Sequence, residues 1–149
     1  LTPDHALSVM HSILGNDDGF GYAAFDRGKA ASPHYPVGFV FGMSAIYDPL
    51  ICQTEIAQEY GLKKCLYLAE LAIDQGHKGR RIGQELVRAA TILASHSKVP
   101  LIVRTNEHSD PLHKFYERCG FSKLKYTAFQ AGSVEKRYFL WNGLQLDSF

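Results

Sequence analysis

The chain contains 149 residues, of which 46% are hydrophobic and 21% are charged. These values are typical of one folded globular domain, and they exclude a disordered or membrane-embedded chain. The formal net charge of +1 provides no broad basic surface, so we expect binding neither to nucleic acid nor to an anionic membrane.

The three cysteines, Cys52, Cys65 and Cys119, are odd in number and have no C-x-x-C spacing. This pattern favours neither a disulfide framework nor a zinc site, and we expect no metal. Reduced thiols, together with the absence of a signal-peptide or membrane-span pattern, predict a cytoplasmic protein. The chain begins without Met, which predicts that an upstream piece is missing. A homodimer stays open from the sequence.

The first part of the chain carries the patterns of a helix and a β-hairpin. Apolar residues recur at helical spacing over Thr2–Leu14 and stop at Gly15. Aromatic and β-branched residues over Phe20–Asp26 and Val37–Ile46 flank a turn-forming stretch and predict two paired strands. The segment Thr54–Tyr60 predicts one or two helical turns.

A buried strand, a basic turn and a helix follow one another in the middle of the chain. Cys65–Ile73 is almost wholly apolar apart from Glu70, which is typical of a central strand buried on both faces. Glycines alternate with cations over Gln75–Gln84. Apolar residues then recur at helical spacing from Ile82 to near His96.

The basic turn predicts a site for an anion. The first amides of a helix have no partner inside the helix and point along the positive end of its dipole, so they can bind a pyrophosphate directly. Lys78, Arg80 and Arg81 add charge, but exposed side chains are screened, so the backbone amides should dominate. The turn matches neither a P-loop nor the G-x-G-x-x-G pattern of a dinucleotide fold. The alternative is a turn whose basic residues only face water.

The last part of the chain predicts a further buried strand over Val99–Thr105 and a short helix over Pro111–Arg118. Asp110 is the expected cap of this helix, and Gly120 is its expected stop. Two further strands are predicted to form a closing pair: Phe121–Phe129 and Lys136–Asn142.

Three segments in this order resemble the GNAT acetyltransferase superfamily: LAID at 71–74, KGRRIG at 78–83 and FYERCGF at 115–121. Members carry a [QR]-x-x-G-x-[GA] pyrophosphate loop after the fourth strand and an [LF]-Y-x-x-x-G-[FY] segment in the helix after the fifth. Here Lys78 replaces the usual Arg or Gln, and Arg81 replaces the first glycine of the loop pair. The family's first strand has no counterpart in this sequence.

The resemblance implies a single α/β (α+β) domain over residues 1–149. Its fold would be a mixed, mostly antiparallel central sheet flanked by helices, with splayed fourth and fifth strands. It also implies that acetyl-CoA is the acetyl donor and that a primary amine of a small-molecule or peptide acceptor attacks it directly in a ternary complex. Tyr116 would be the general acid, and Glu70 the general base. The implied cofactor-binding residues are Leu71, Ala72, Ile73, Lys78, Gly79, Arg80, Arg81, Ile82, Gly83, Gln84, Asn106 and Ser109.

Several alternatives stay open from the sequence. Tyr116 could be a core aromatic residue that packs with Leu112 and Phe115, and Glu70 could form a structural ion pair. Cys119 is expected to pack as a small apolar group and not to carry an acetyl group. The same fold could also bind acyl-CoA without turnover. The identity of the acceptor depends on segments such as Tyr47–Lys64, the expected specificity wall.

Overall fold

A computed structural model describes residues 19–25, 36–45, 58–59, 65–79, 81–128 and 135–142. Within these ranges the chain forms six β-strands and two long helices. In chain order they are β1 (Phe20–Phe25), β2 (Pro36–Ser44), β3 (Leu66–Ile73), α1 (Ile82–His96), β4 (Leu101–Asn106), α2 (Asp110–Arg118), β5 (Ser122–Ala128) and β6 (Lys136–Trp141).

The predicted elements agree with these strands and helices to within a few residues. The hairpin is confirmed, because β1 pairs antiparallel with β2. The closing strand pair is confirmed as well, because β5 pairs antiparallel with β6. The predicted helix at 2–14 lies outside the described residues, as does most of the segment 47–64, although residues 58 and 59 are helical.

The six strands form one sheet in the order β1-β2-β3-β4-β6-β5. The pairing of β3 with β4 is parallel and includes Leu66 opposite Leu101 and Tyr67 opposite Ile102. Strand β6 is antiparallel to both β4 and β5. The N–H of Asp74 donates to the carbonyl of Val37, and the N–H of Ala45 donates to that of Cys65, so β2 and β3 also run in opposite directions. The expected mixed, mostly antiparallel sheet is therefore confirmed.

The chain divides into two compact units. The described part of the first unit comprises 19–25, 36–43 and 68–90 except residue 80, and that of the second comprises 44–45, 58–59, 65–67, 91–128 and 135–142. The single domain over 1–149 stays a prediction. No helix in the described part of the chain is long and apolar enough to cross a membrane.

In the first unit, a glycine lets the sheet and α1 pack closely. A Cβ atom at Gly38 would lie 2.9 Å from Cδ1 of Ile73, 3.1 Å from the carbonyl oxygen of Ala72 and 3.1 Å from Cδ1 of Leu86. Side chains alternate along a strand, so Ile73 and Glu70 lie on opposite faces of β3. The absence of a side chain at Gly38 therefore keeps the end of β3 close to α1.

In the second unit, the core is built on β4 and β6. Tyr138 and Phe139 of β6 are fully buried, as are Leu101 and Ile102 of β4. Phe139 lies opposite Val103 in the register and against the rings of α2. Phe139 is therefore a point at which β6 contacts α2.

Candidate active site

The turn that joins β3 to α1 begins with a local hydrogen-bonded unit. The N–H of Asp74 donates to the carbonyl oxygen of Val37 at 2.7 Å, which ties the start of the turn to β2. The Nδ1 of His77 donates to Oδ2 of Asp74 at 2.7 Å, and the backbone N–H of His77 donates to the carbonyl of Asp74. The hydrogen bond with His77 lowers the pKa of the Asp74 carboxyl. The end of β3 is thus fixed before the chain reaches Gly79.

Two residues of this turn have left-handed backbone conformations. Gly79 has a φ of 83°, and Arg81 has a φ of 61°. A residue with a Cβ atom adopts this region at a cost, which is why glycine is usual there. Arg81 stands where the family pattern has glycine, and its backbone adopts a conformation that glycine favours.

Helix α1 begins directly after Arg81. The N–H of Glu85 donates to the carbonyl oxygen of Arg81 at 3.1 Å, the first hydrogen bond of the helix among the described residues. In an α-helix the three preceding N–H groups, here those of Ile82, Gly83 and Gln84, have no acceptor inside the helix. Because the helix is 15 residues long, its positive dipole end reinforces these donors.

The side chains around the turn carry positive charge at an exposed surface. Lys78 and Arg81 are exposed, whereas Ile82, Gly83 and Gln84 are half-buried. Arg80 lies outside the described residues. Leu71, Ala72 and Ile73, at the end of β3, are half-buried, as is Glu70. The expectation of a strand buried on both faces therefore holds for Tyr67 and Leu68 but not for the second half of β3.

Tyr116 is on the buried face of α2. It is 5% exposed, and its ring lies 5.0 Å from that of Phe115, 5.4 Å from that of Phe121 and 6.2 Å from that of Phe139. Leu112, which the alternative interpretation placed beside Tyr116 in the core, is 42% exposed. The contact between Tyr116 and Phe115 is observed, whereas the packing of Tyr116 with Leu112 stays an interpretation from the sequence.

The end of α2 fixes the position of Tyr116. The N–H of Phe121 donates to the carbonyl of Tyr116, and the N–H of Gly120 donates to that of Glu117, both at 3.0 Å. Gly120 has a φ of 92°, so the two bonds form a Schellman cap. The ring contact between Phe121 and Tyr116 is the apolar contact that accompanies this cap. The predicted stop at Gly120 is confirmed.

The start of α2 contains the other two predicted cofactor-binding residues. Asp110 was predicted as the cap of α2, but it is the first helical residue, and Ser109 is the N-cap. Within the described residues, the side chain of Ser109 makes no hydrogen bond to an amide of α2. The N–H of Ser109 donates to the carbonyl of Asn106 at 3.1 Å. The side-chain oxygen of Asn106 accepts a hydrogen bond from Nζ of Lys136. Asn106 and Ser109 are thus brought together by their backbones.

Two contacts of this region were not predicted. His113 is 5% exposed and lies 2.9 Å from the carbonyl oxygen of Asn106 through Nε2. Arg137 donates two hydrogen bonds of 2.6 Å to the carboxylate of Glu107 and a third, of 3.1 Å, to the carbonyl of Leu124. The spacing of three positions between His113 and Tyr116 indicates that both lie on the same helical face, but it does not indicate the Asn106 carbonyl as the partner of His113. The second contact joins residues that are 30 positions apart and has no local signal.

The two described cysteines are poor nucleophiles. Burial raises the pKa of the Cys65 thiol to about 11. Burial also raises the pKa of Cys119, although the nearby Arg118 acts in the opposite direction. Both thiols are therefore protonated at neutral pH, as expected for a packing role of Cys119. The described residues contain no group of three His, Cys, Asp or Glu side chains that could hold a metal ion.

Comparisons with known proteins identify the family and the fold of the chain. The chain matches the acetyltransferase (GNAT) family over residues 2–121. Its fold is similar to that of NAA60 from Arabidopsis thaliana in complex with a bisubstrate analogue, with a TM-score of 0.71, 17% identity, and coverage of 95% of this chain and 94% of the other. The same protein in complex with acetyl-CoA gives a TM-score of 0.66, 16% identity, and coverage of 95% and 94%.

A third similar structure is the NatC complex bound to Gag peptide and CoA, with a TM-score of 0.69, 15% identity, and coverage of 95% of this chain and 80% of the other. No curated protein sequence matches the chain. Because the family match includes most of the sequence, the chain belongs to the GNAT acetyltransferase family. Acetyl-CoA is accordingly its acetyl donor.

Proposed function

We propose that this protein is an N-acetyltransferase that moves the acetyl group of acetyl-CoA to a primary amine. The observation that carries the proposal is the connection between β3 and α1, which lies inside the matched family segment. Its left-handed residues, Gly79 and Arg81, lead directly into the amino end of a 15-residue helix. Such an end binds phosphate through backbone N–H groups.

The donor set of this turn suits the diphosphate of coenzyme A. The amides of Ile82, Gly83 and Gln84 would donate hydrogen bonds, and the exposed cations Lys78 and Arg81 would add attraction that salt screens. Gly79 supports this role because a Cβ atom there would meet nothing within 4 Å, so its backbone is open to close approach. The edge formed by Leu71–Ile73 would bind the pantetheine arm, in line with the family resemblance. We also assign Arg80, Asn106 and Ser109 to cofactor binding.

The reaction we propose is direct attack in a ternary complex. The amine nitrogen bonds to the thioester carbonyl carbon, and the bond between that carbon and sulfur breaks. Glu70 removes the ammonium proton, directly or through water, while the phenol of Tyr116 protonates the departing thiolate. A backbone N–H in Leu71–Ile73 would stabilise the oxyanion, and one such donor is typically worth about 3 kcal/mol.

The state of the cysteines supports direct attack over an acetylated-enzyme route. A thiol must be deprotonated to attack a thioester, and burial raises the pKa values of both Cys65 and Cys119. A buried Tyr116, held by the cap of α2, suits a proton donor because tyrosine phenols are protonated at neutral pH. For the two described cysteines, these observations support the proposal that the amine of the acceptor is the nucleophile.

The acceptor class that we would test first is the amino terminus of a peptide. The NatC complex, a structural neighbour, was solved with a peptide and CoA together. Small primary amines form the second group of the panel. Release of free CoA thiol, measured against each acceptor, gives turnover; acetyl-CoA binding without release against any amine would support a non-catalytic acyl-CoA-binding module.

The decisive variant is Tyr116→Phe, which removes one hydroxyl group from a buried ring. We expect kcat to fall about 100-fold, the usual scale for loss of a positioned acid, while the calorimetric affinity for acetyl-CoA changes less than about threefold. Tyr22→Phe is the matched control because that tyrosine is on the exposed surface of β1. Equal losses of turnover and affinity, or no loss of either, would contradict the assigned role.

A further inference from the structure

A buried histidine joins the start of α2 to the end of β4. The side chain of His113 is 5% exposed, and its Nε2 lies 2.9 Å from the carbonyl oxygen of Asn106. A carbonyl oxygen can only accept, so Nε2 carries the hydrogen. The backbone N–H of Ser109 donates to the same oxygen at 3.1 Å. One carbonyl therefore receives hydrogen bonds from both the cap and the first turn of α2.

The same imidazole contacts Phe139, one of the aromatic residues that surround Tyr116. Its ring meets the ring of Phe139 edge-on, with centroids 5.1 Å apart, and the Phe139 ring lies 6.2 Å from that of Tyr116. His113 and Tyr116 are also three positions apart in α2, so they lie on one face of the helix. They are the two buried residues of that helix. His113 therefore lies where it can influence the angle at which α2 presents Tyr116.

We propose that His113 is a positioning residue for acetyl transfer. Its hydrogen bond to the Asn106 carbonyl fixes the first turn of α2 against β4, and its ring fixes Phe139; together they set where the Tyr116 hydroxyl lies. The inference rests on the proposed acid role of Tyr116. A proton donor is sensitive to such placement, since a displacement of about 1 Å can cost on the order of 100-fold in rate.

Two substitutions separate the hydrogen bond from the bulk of the side chain. His113→Gln keeps an N–H donor near the position of Nε2, whereas His113→Phe keeps a ring but removes the donor. We expect kcat to stay within about threefold of the unmodified protein for Gln and to fall at least about tenfold for Phe. Both variants are first checked for a cooperative thermal unfolding transition. If the Phe variant does not fold, His113→Asn, whose amide nitrogen replaces Nδ1 and not Nε2, takes its place.

A double-mutant cycle with Tyr116→Phe distinguishes positioning from general structural damage. If His113 acts through the Tyr116 hydroxyl, then His113→Phe has little further effect, less than about twofold in kcat, once that hydroxyl is absent. A structural role would lower kcat by the same factor in both backgrounds, and that result would overturn the proposal. Equal activity of the Gln and Phe variants would overturn it too.

Failure of this inference is distinguishable from failure of the proposed function. If Tyr116→Phe alone leaves kcat unchanged, the acid role is wrong, and the positioning role falls with it. If Tyr116→Phe lowers kcat but the two substitutions combine additively, the proposed function stands and only the role of His113 is refuted.

Discussion

The two left-handed residues of the turn before α1 predict opposite changes in stability. Replacing Arg81 by Gly removes the strain of a residue with a Cβ atom at a φ of 61°. That strain is about 1–2 kcal/mol, from which a loss of about 0.4–1 kcal/mol is subtracted because glycine has more freedom in the unfolded chain. The midpoints of these two ranges differ by about 0.8 kcal/mol, so we expect Arg81→Gly to raise the free energy of unfolding by about that amount.

Gly79→Ala should have the reverse effect by the same arithmetic. Gly79 has a φ of 83°, and an added Cβ atom would meet nothing within 4 Å. The substitution therefore changes only the free energy of the backbone conformation and causes no steric clash. We expect the free energy of unfolding to fall by about 0.8 kcal/mol, the difference between the midpoints of the same two ranges. In a protein of this length, each kcal/mol moves the unfolding midpoint by about 2–4 °C.

The assay combines chemical denaturation with calorimetric binding of acetyl-CoA. Arg81→Ala is the control because it removes the charge and keeps the side-chain strain. If backbone amides dominate the binding of the diphosphate, both Arg81 variants should weaken binding by no more than about fivefold, the scale of an exposed charge, and less at high salt. Destabilisation by Arg81→Gly, or a neutral Gly79→Ala, would refute the reasoning about the backbone.

Two further predictions concern packing and pH. Gly38→Ala should lower the free energy of unfolding by about 1–3 kcal/mol. The added Cβ atom would lie 2.9 Å from the Ile73 side chain and 3.1 Å from the Ala72 carbonyl oxygen. An unchanged denaturation midpoint would contradict this prediction. The hydrogen bond from Arg137 lowers the pKa of Glu107 below its usual 4.5. The contribution of this ion pair to stability is therefore complete above pH 4.5, and it is lost as the pH falls through the lowered pKa. Glu107→Gln should therefore flatten the acid side of the pH–stability curve, and an unaltered slope in acid denaturation would oppose it.

Much of the fold could be predicted because its signals are local. The helix predicted from Ile82 to near His96 ends as observed, and the glycine rule placed the end of α2 at Gly120. The end of α1 has no such signal. There Lys98 takes the left-handed conformation, with a φ of 55°, and the N–H of Val99 donates to the carbonyl of Ala94. A lysine in this conformation is stabilised by its surroundings and not by its own preference.

The candidate site was predictable where a residue acts through its position in a motif. Gly79 and Tyr116 are recognisable because their neighbours in the sequence define their setting. The tie between His113 and Asn106, and that between Glu107 and Arg137, arise only after β4, α2 and β6 have packed. Composition and periodicity do not indicate which groups become partners in the packed structure, so these contacts required the structure.

The position of β6 has a consequence for how the second unit folds. Along the chain β6 follows both β4 and β5, yet in the sheet it lies between them. Its contact with Asn106 spans 30 positions, so chain entropy must be lost before its hydrogen bonds form. Until β6 inserts, β4 and β5 each expose an edge that can pair with another molecule. Insertion of this strand is therefore the expected slow step, and the period before it is when aggregation competes most with folding.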